Sequence, residues 1–188
     1  MGIVKDVAVI VGSIRKESLN RKIAATLTEL SPSTIRLRIV DIGNLTLYNP
    51  DYENDFLIPW QNFRKTIKSS DAVLFVTPEY NRSIPAPLKN AIDVGSRPYG
   101  ESVWAGKPGG VITATPGAMG GFGANLHLRQ CMGYLDVFMM QQPEAYIAYA
   151  DQLFDSKGKV MQAAPREFLS KFMTAFGNWI SKHYLKNN

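Results

Sequence analysis

Hydroxyl, amide and guanidinium side chains crowd one short stretch, Gly12-Ser13-Ile14-Arg15-Lys16-Glu17-Ser18-Leu19-Asn20, directly after the apolar run Val7-Ala8-Val9-Ile10-Val11. Arg15 offers a forked cation, and Ser13, Ser18 and Asn20 offer neutral hydrogen bonds. A helix starting near Leu19 would add roughly half a unit of positive charge through its free N–H groups. Together these features suit a phosphate. The same residues also read as a polar loop that ends in a capped helix and binds nothing.

Two later loops share this character. In Pro78-Glu79-Tyr80-Asn81-Arg82-Ser83-Ile84-Pro85-Ala86-Pro87, three prolines stiffen a connection that carries an aromatic ring, as a preformed wall would require. In Thr115-Pro116-Gly117-Ala118-Met119-Gly120-Gly121-Phe122-Gly123, glycines let backbone amides approach a flat or anionic ligand closely. Either could equally be a plain turn, because Gly and Pro punctuate every fold. Gly12 is not followed by the glycines of G-x-G-x-x-G, and G-x-x-x-x-G-K-[ST] is absent, which disfavours a dinucleotide held in the Rossmann manner or ATP on a P-loop. A mononucleotide phosphate remains open.

The elements that must position these loops follow from hydrophobic periodicity. Short apolar runs predict strands over 7–11, 72–76, 110–114 and 137–140, the first of them buried on both faces, while 35–40 alternates with Arg36 and Arg38 and reads as a strand near a sheet edge. Helical spacing links Ile23, Ala24, Leu27 and Leu30, with Ser18 or Asn20 as N-cap. Further helices are predicted from Pro59 through Trp60, Phe63 and Ile67, from Pro87 through Leu88, Ala91 and Ile92, over 124–135, and along Phe168, Leu169, Phe172, Met173, Phe176 and Ile180. Alternating strands and helices imply one α/β domain over 1–188, a five-stranded parallel sheet of order 2-1-3-4-5 covered on both faces. Ligands in such sheets bind at the carboxyl ends of strands where the winding reverses, so the three loops should converge.

Composition narrows the setting. The 188 residues are 45% hydrophobic and 20% charged, and the net charge of +5 is spread without a basic cluster, which favours small anionic ligands over nucleic acid. A lone cysteine, Cys131, forms no internal disulfide, and the amino terminus runs straight into a strand pattern, so a reducing, cytoplasmic setting without membrane insertion is expected. Cys131 reads as core rather than nucleophile, and His127 and His183 lack metal-ligand spacing.

Two motifs now carry a resemblance. Gly12-Ser13-x-Arg15-x-x-Ser18-x-Asn20, then Thr77-Pro78-Glu79-Tyr80-Asn81-x-Ser83-x-Pro85-x-x-Leu88-Lys89-Asn90-Ala91-Ile92-Asp93, resemble the NADPH-dependent FMN reductase family. Gly120-Gly121 and His127-Leu128-Arg129-Gln130 are similar to its bacterial chromate and quinone reductase branch. The resemblance implies a flavodoxin-like three-layer sandwich, non-covalent FMN, NADPH or NADH as co-substrate, and a homodimer or homotetramer with flavin sites near a subunit contact. It places Ser13, Arg15, Ser18, Leu19 and Asn20 on the phosphate, and Pro78, Glu79, Tyr80, Asn81 and Ser83 along the isoalloxazine. Pro116, Gly117, Ala118, Met119 and Gly120 would meet the ring's polar edge. Arg82, where relatives often carry an aromatic residue, becomes a substrate-binding candidate.

The implied activity is ping-pong reduction of quinones, flavins, azo compounds or chromate, with FMN rather than a protein dyad carrying the chemistry. An FMN electron carrier without its own NAD(P)H oxidation is the alternative, and a mononucleotide-binding regulatory domain a weaker one. Such carriers are usually acidic, unlike this chain at +5. Finally, segment 44–58 holds Leu45, Leu47, Tyr48, Tyr52, Phe56 and Leu57, too apolar for water to face them all, and is expected to pack on a partner subunit, with its own domain as the other possibility.

Overall fold

The structure, a computed structural model, describes residues 4–183 apart from 54 and 56. Lys5–Val11 (β1), Leu19–Leu30 (α1), Ile35–Val40 (β2), Ile58–Lys68 (α2), Ala72–Thr77 (β3), Ala86–Ser96 (α3), Pro108–Ala114 (β4), Phe122–Tyr134 (α4), Phe138–Met139 (β5), Tyr146–Ile147 (β6) and Ala163–His183 (α5) follow in order. The sheet is parallel and runs β2-β1-β3-β4-β5, with Val9 opposite Ile39 on one side and Leu74 on the other. This is the flavodoxin-like order read from the sequence.

Burial explains the strand types. Val7, Ala8, Val9 and Ile10 are wholly inaccessible, as residues of a strand covered on both faces should be, whereas β2 keeps Arg36 and Arg38 exposed at the sheet edge. Helices α2, α3 and α4 cover one face over Trp60, Phe63, Phe75, Leu88, Trp104 and Leu128. Helices α1 and α5 cover the other over Ile23, Leu27, Leu74, Phe172, Phe176 and Ile180. Met139 and Met140 fill core as expected, and Trp179 lies half-buried with its indole N–H donated to Phe138 O at 2.6 Å.

The far edge differs from the expectation. The fifth strand was expected over 137–140 but is only Phe138–Met139, and a sixth strand, Tyr146–Ile147, takes over beside β4 with Thr113 opposite Tyr146. Met140 N–H still donates to Gly109 O, and the ladder resumes only where Thr113 N–H reaches Ala145 O. Pro143 lies between, and a residue without an N–H cannot donate to a ladder, so one edge position is shared by two short strands.

The segment after β2 folds largely onto its own domain. Leu45 is buried, and Tyr48 stacks on Trp60 with ring centroids 5.8 Å apart. Asn90 of α3 accepts from Tyr48 N–H at 2.7 Å and donates to Leu45 O and Thr46 O. Leu45, Tyr48 and Leu57 thus pack on their own domain, the other possibility, while Leu47, Tyr52 and Ile58 stay exposed. Phe56 lies outside the described residues. Glu53 closes the segment by accepting from Tyr48 Oη at 2.5 Å and Arg97 Nε at 2.7 Å.

Two outcomes follow from this packing. A Cβ at Gly95 would lie 2.5 Å from the indole nitrogen of the wholly buried Trp104, so Gly95→Ala should lower unfolding free energy by about 2 kcal/mol in urea denaturation. Hydrogen bonds from Arg97 and then Tyr48 hold the Glu53 carboxyl below its ordinary 4.5. The stabilisation is thus fully present above 4.5 and lost as pH falls through the lower folded value, and Glu53→Gln should flatten the acid side of the melting-temperature profile there.

Candidate functional site

The site begins where β1 meets β3. Gly12 N–H donates to Val76 O at 2.9 Å, and a Cβ at Gly12 would lie 2.1 Å from Thr77 Oγ1. Only a bare backbone fits against that threonine, and the chain then crosses to α1. Ser18, in extended conformation, caps that helix by accepting from Arg21 N–H at 3.2 Å, so it rather than Asn20 is the N-cap. Asn20 is buried in the first turn of α1 and donates from Nδ2 to Ala114 O at 3.0 Å, joining α1 to the end of β4. Its Oδ1 is buried without a hydrogen-bond partner.

The three predicted loops do converge on one cleft. Ser13, Arg15, Ser18, Leu19 and Asn20 line it from the first loop, Pro78, Glu79 and Tyr80 from the second, and Pro116 from the third. Ala114 and Thr115, at the end of β4, line it too although the sequence did not single them out for this role; the strand end preceding a glycine loop was the available signal. The remaining candidates are not among the lining. Gly117, Ala118 and Met119 form an exposed turn beyond Pro116, and Gly120 is buried at φ 59° with Tyr146 so near that a Cβ would lie 2.8 Å from its carbonyl carbon. Gly120 thus seats the loop on β6, a packing role.

Asn81, Arg82 and Ser83 make a tight turn at the rim. Tyr80 and Ser83 exchange backbone hydrogen bonds at 2.9 Å in both directions, with Asn81 and Arg82 at φ 50° and 65°. Glu79 ties this turn to α4: Oε2 accepts from Ala124 N–H at 3.0 Å and Oε1 from Arg82 Nη1 at 3.2 Å. Ser83 Oγ and His127 Nδ1 add a second link at 2.9 Å. Gly123 permits the approach, since a Cβ there would lie 2.9 Å from Arg82 O. His127 therefore has a local partner that spacing could not reveal, because Ser83 is 44 residues away.

The electrostatics suit an anion with a polar tail. The Arg15 guanidinium has no ion-pair partner among the described residues, and it lines the cleft beside the N–H groups that open α1. The orphaned Asn20 Oδ1 provides a buried acceptor for a hydroxyl. This donor and acceptor set fits the phosphate and polyol chain of a flavin mononucleotide. Burial pushes the half-buried Cys131 thiol up from its ordinary value, away from nucleophilic use. Among the described residues no helix is long and apolar enough to cross a membrane, and no His, Cys, Asp and Glu group could hold a metal.

Fold and cleft together define a doubly wound α/β protein with its cleft at the switch point between β1 and β3. The particular family is established by similarity: residues 6–152 match the family model described as NADPH-dependent FMN reductase. A quinone reductase of Pseudomonas putida is 56% identical over 181 residues, covering 96% of this chain and 97% of that one. A 2-hydroxy-1,4-benzoquinone reductase of a Burkholderia species is 44% identical, covering 93% and 95% of the two chains. Among solved structures, the flavoenzyme FerB of Paracoccus denitrificans, an NAD(P)H:(acceptor) oxidoreductase, superposes with a TM-score of 0.91 at 42% identity, covering 97% of this chain and 100% of that one. The chain belongs to the NADPH-dependent FMN reductase family.

Because Ser18 Oγ satisfies one of the orphan donors at the start of α1, Ser18→Ala should destabilise the protein by about 1 kcal/mol in denaturant unfolding.

Proposed function

We propose that the chain is an NAD(P)H-dependent FMN enzyme that reduces quinones, on the strength of the unpaired Arg15 guanidinium and the N-terminus of α1 sharing one cleft at the sheet's switch point. Ser13, Arg15, Ser18 and the opening N–H groups at Leu19 and Asn20 hold the phosphate. Asn20 Oδ1, buried and without a donor, takes one from a ribityl hydroxyl. Pro78, Glu79, Tyr80 and Pro116 flank the ring, and the stiff β3–α3 loop keeps water from one side of it. Asn81, Ser83 and the turn of Gly117, Ala118, Met119 and Gly120 border the ring's open edge, where backbone N–H groups favour negative charge. When bound, FMN supplies two-electron chemistry, accepting hydride from the nicotinamide and passing the electrons to the acceptor.

The relatives named as quinone reductases support quinones as acceptors. Azo compounds, free flavin and chromate are further acceptors that an open ring face admits. The net charge of +5 and those relatives favour the reductase over a dedicated electron carrier. Small-molecule partners, a cytoplasmic setting and a homodimer or homotetramer complete the proposal, with exposed Leu47, Tyr52 and Ile58 near the subunit contact.

The test is uptake of FMN by apoprotein, followed by flavin fluorescence. Truncating Ser13 and Arg15 together to alanine removes a neutral and a charge-assisted contact, and Kd should rise about tenfold or more. Equal uptake by the double variant would contradict the assignment. With wild-type protein, initial rates varied over NADPH and a quinone should give parallel reciprocal lines.

A further inference from the structure

Arg82 occupies a costly position. It is the second central residue of the turn closed by Tyr80 and Ser83, at φ 65°, where glycine is normally preferred and a side chain is strained. Its side chain is 73% exposed, and among the described residues only Nη1 has a partner, Glu79 Oε1 at 3.2 Å. A screened surface pair of that kind repays little.

The two members of the pair are unequally held. Glu79 is 11% exposed, and its other oxygen accepts from Ala124 N–H at the N-terminal turn of α4, where the helix field favours a carboxylate. Glu79 therefore keeps a charge-stabilising partner when Arg82 leaves. Arg82 has no second anchor, so its guanidinium can move from Glu79 to another anion without stranding a buried charge. Glu79 lines the cleft, which puts that guanidinium within one hydrogen bond of the cleft wall, at the ring end of the site.

Resting on the flavin-reductase reading, we propose that Arg82 determines acceptor specificity: the site favours quinones that carry an ionised substituent over neutral quinones of similar size. The guanidinium exchanges its single bond to Glu79 for a bond to the acceptor's anion while the acceptor stacks on the ring. The hydride donor is a poorer match for this residue. Its phosphates are separated from the nicotinamide by a ribose, whereas a substituent on a small quinone lies at the edge of the stacked ring itself.

The experiment measures kcat/KM at saturating NADPH for naphthoquinone sulfonate and for menadione, using flavin-loaded wild type, Arg82→Gln, Arg82→Lys and Arg82→Gly. The ratio of the anionic to the neutral acceptor should fall about fivefold in Arg82→Gln, the size an exposed ion pair supports, and recover in Arg82→Lys. Glycine suits the backbone at this position, so Arg82→Gly should fold at least as well and show the same lowered ratio, which separates charge from turn geometry. Rising salt should erode the ratio in wild type and leave it flat in Arg82→Gln. An unchanged ratio in Arg82→Gln, or a fall in kcat/KM for NADPH with the ratio intact, would overturn the proposal. Wild type that bound flavin but reduced neither quinone would overturn the reductase reading along with it, whereas wild type that reduced both with no salt-dependent preference would overturn only the role of Arg82.

Discussion

Everything at the ligand end of this protein depends on the contact between Gly12 and Thr77. β1 and β3 are adjacent in the sheet yet lead away in opposite directions, one toward α1 and the other toward α3. At Gly12 the Thr77 hydroxyl fills the volume that a side chain would need. The two loops can therefore leave the sheet from nearly one point and open a cleft between them. Any side chain at Gly12 would push them apart and misplace both the α1 terminus and the wall formed by Pro78, Glu79 and Tyr80.

The cleft is then held by polar links that cross between elements. Asn20 ties α1 to the end of β4, Glu79 ties the β3–α3 loop to the first turn of α4, and Ser83 reaches His127 further along the same helix. The first two links use backbone groups that a strand or helix leaves available at its end, Ala114 O and Ala124 N–H, so the same loose ends that make the region fit for binding also fix its shape. Rigid positioning suits a protein whose chemistry belongs to a bound flavin, because the residues need to orient the ring and its partners rather than exchange protons among themselves.

The exposed residues follow another logic. Asn90, Trp60 and Glu53 hold part of segment 44–58 against its own domain. Leu45 is buried and Tyr48 and Leu57 half-buried there, while Leu47, Tyr52 and Ile58 remain exposed. Arg82 is exposed for a different reason, since the turn closed by Tyr80 and Ser83 holds it at the rim with its guanidinium on Glu79.

The sequence by itself determined the strand and helix order apart from the extra edge strand β6, the sheet order through β5, and the identity of the three loops that meet at the cleft, because hydrophobic period and Gly/Pro punctuation act locally and survive without any knowledge of contacts. It also named the residues of the first loop that line the cleft, since a helix start is a local signal. Tertiary structure alone decided that Ser18 rather than Asn20 caps α1, that the sheet edge is shared between β5 and β6, and that the cleft lining in the third loop ends at Pro116, with Gly117, Ala118, Met119 and Gly120 beyond it. It alone paired Glu79 with Ala124 and Ser83 with His127. Those outcomes depend on which groups far apart in the chain come within hydrogen-bond distance. Local pattern carries no information about such distances until the sheet has brought the loops together.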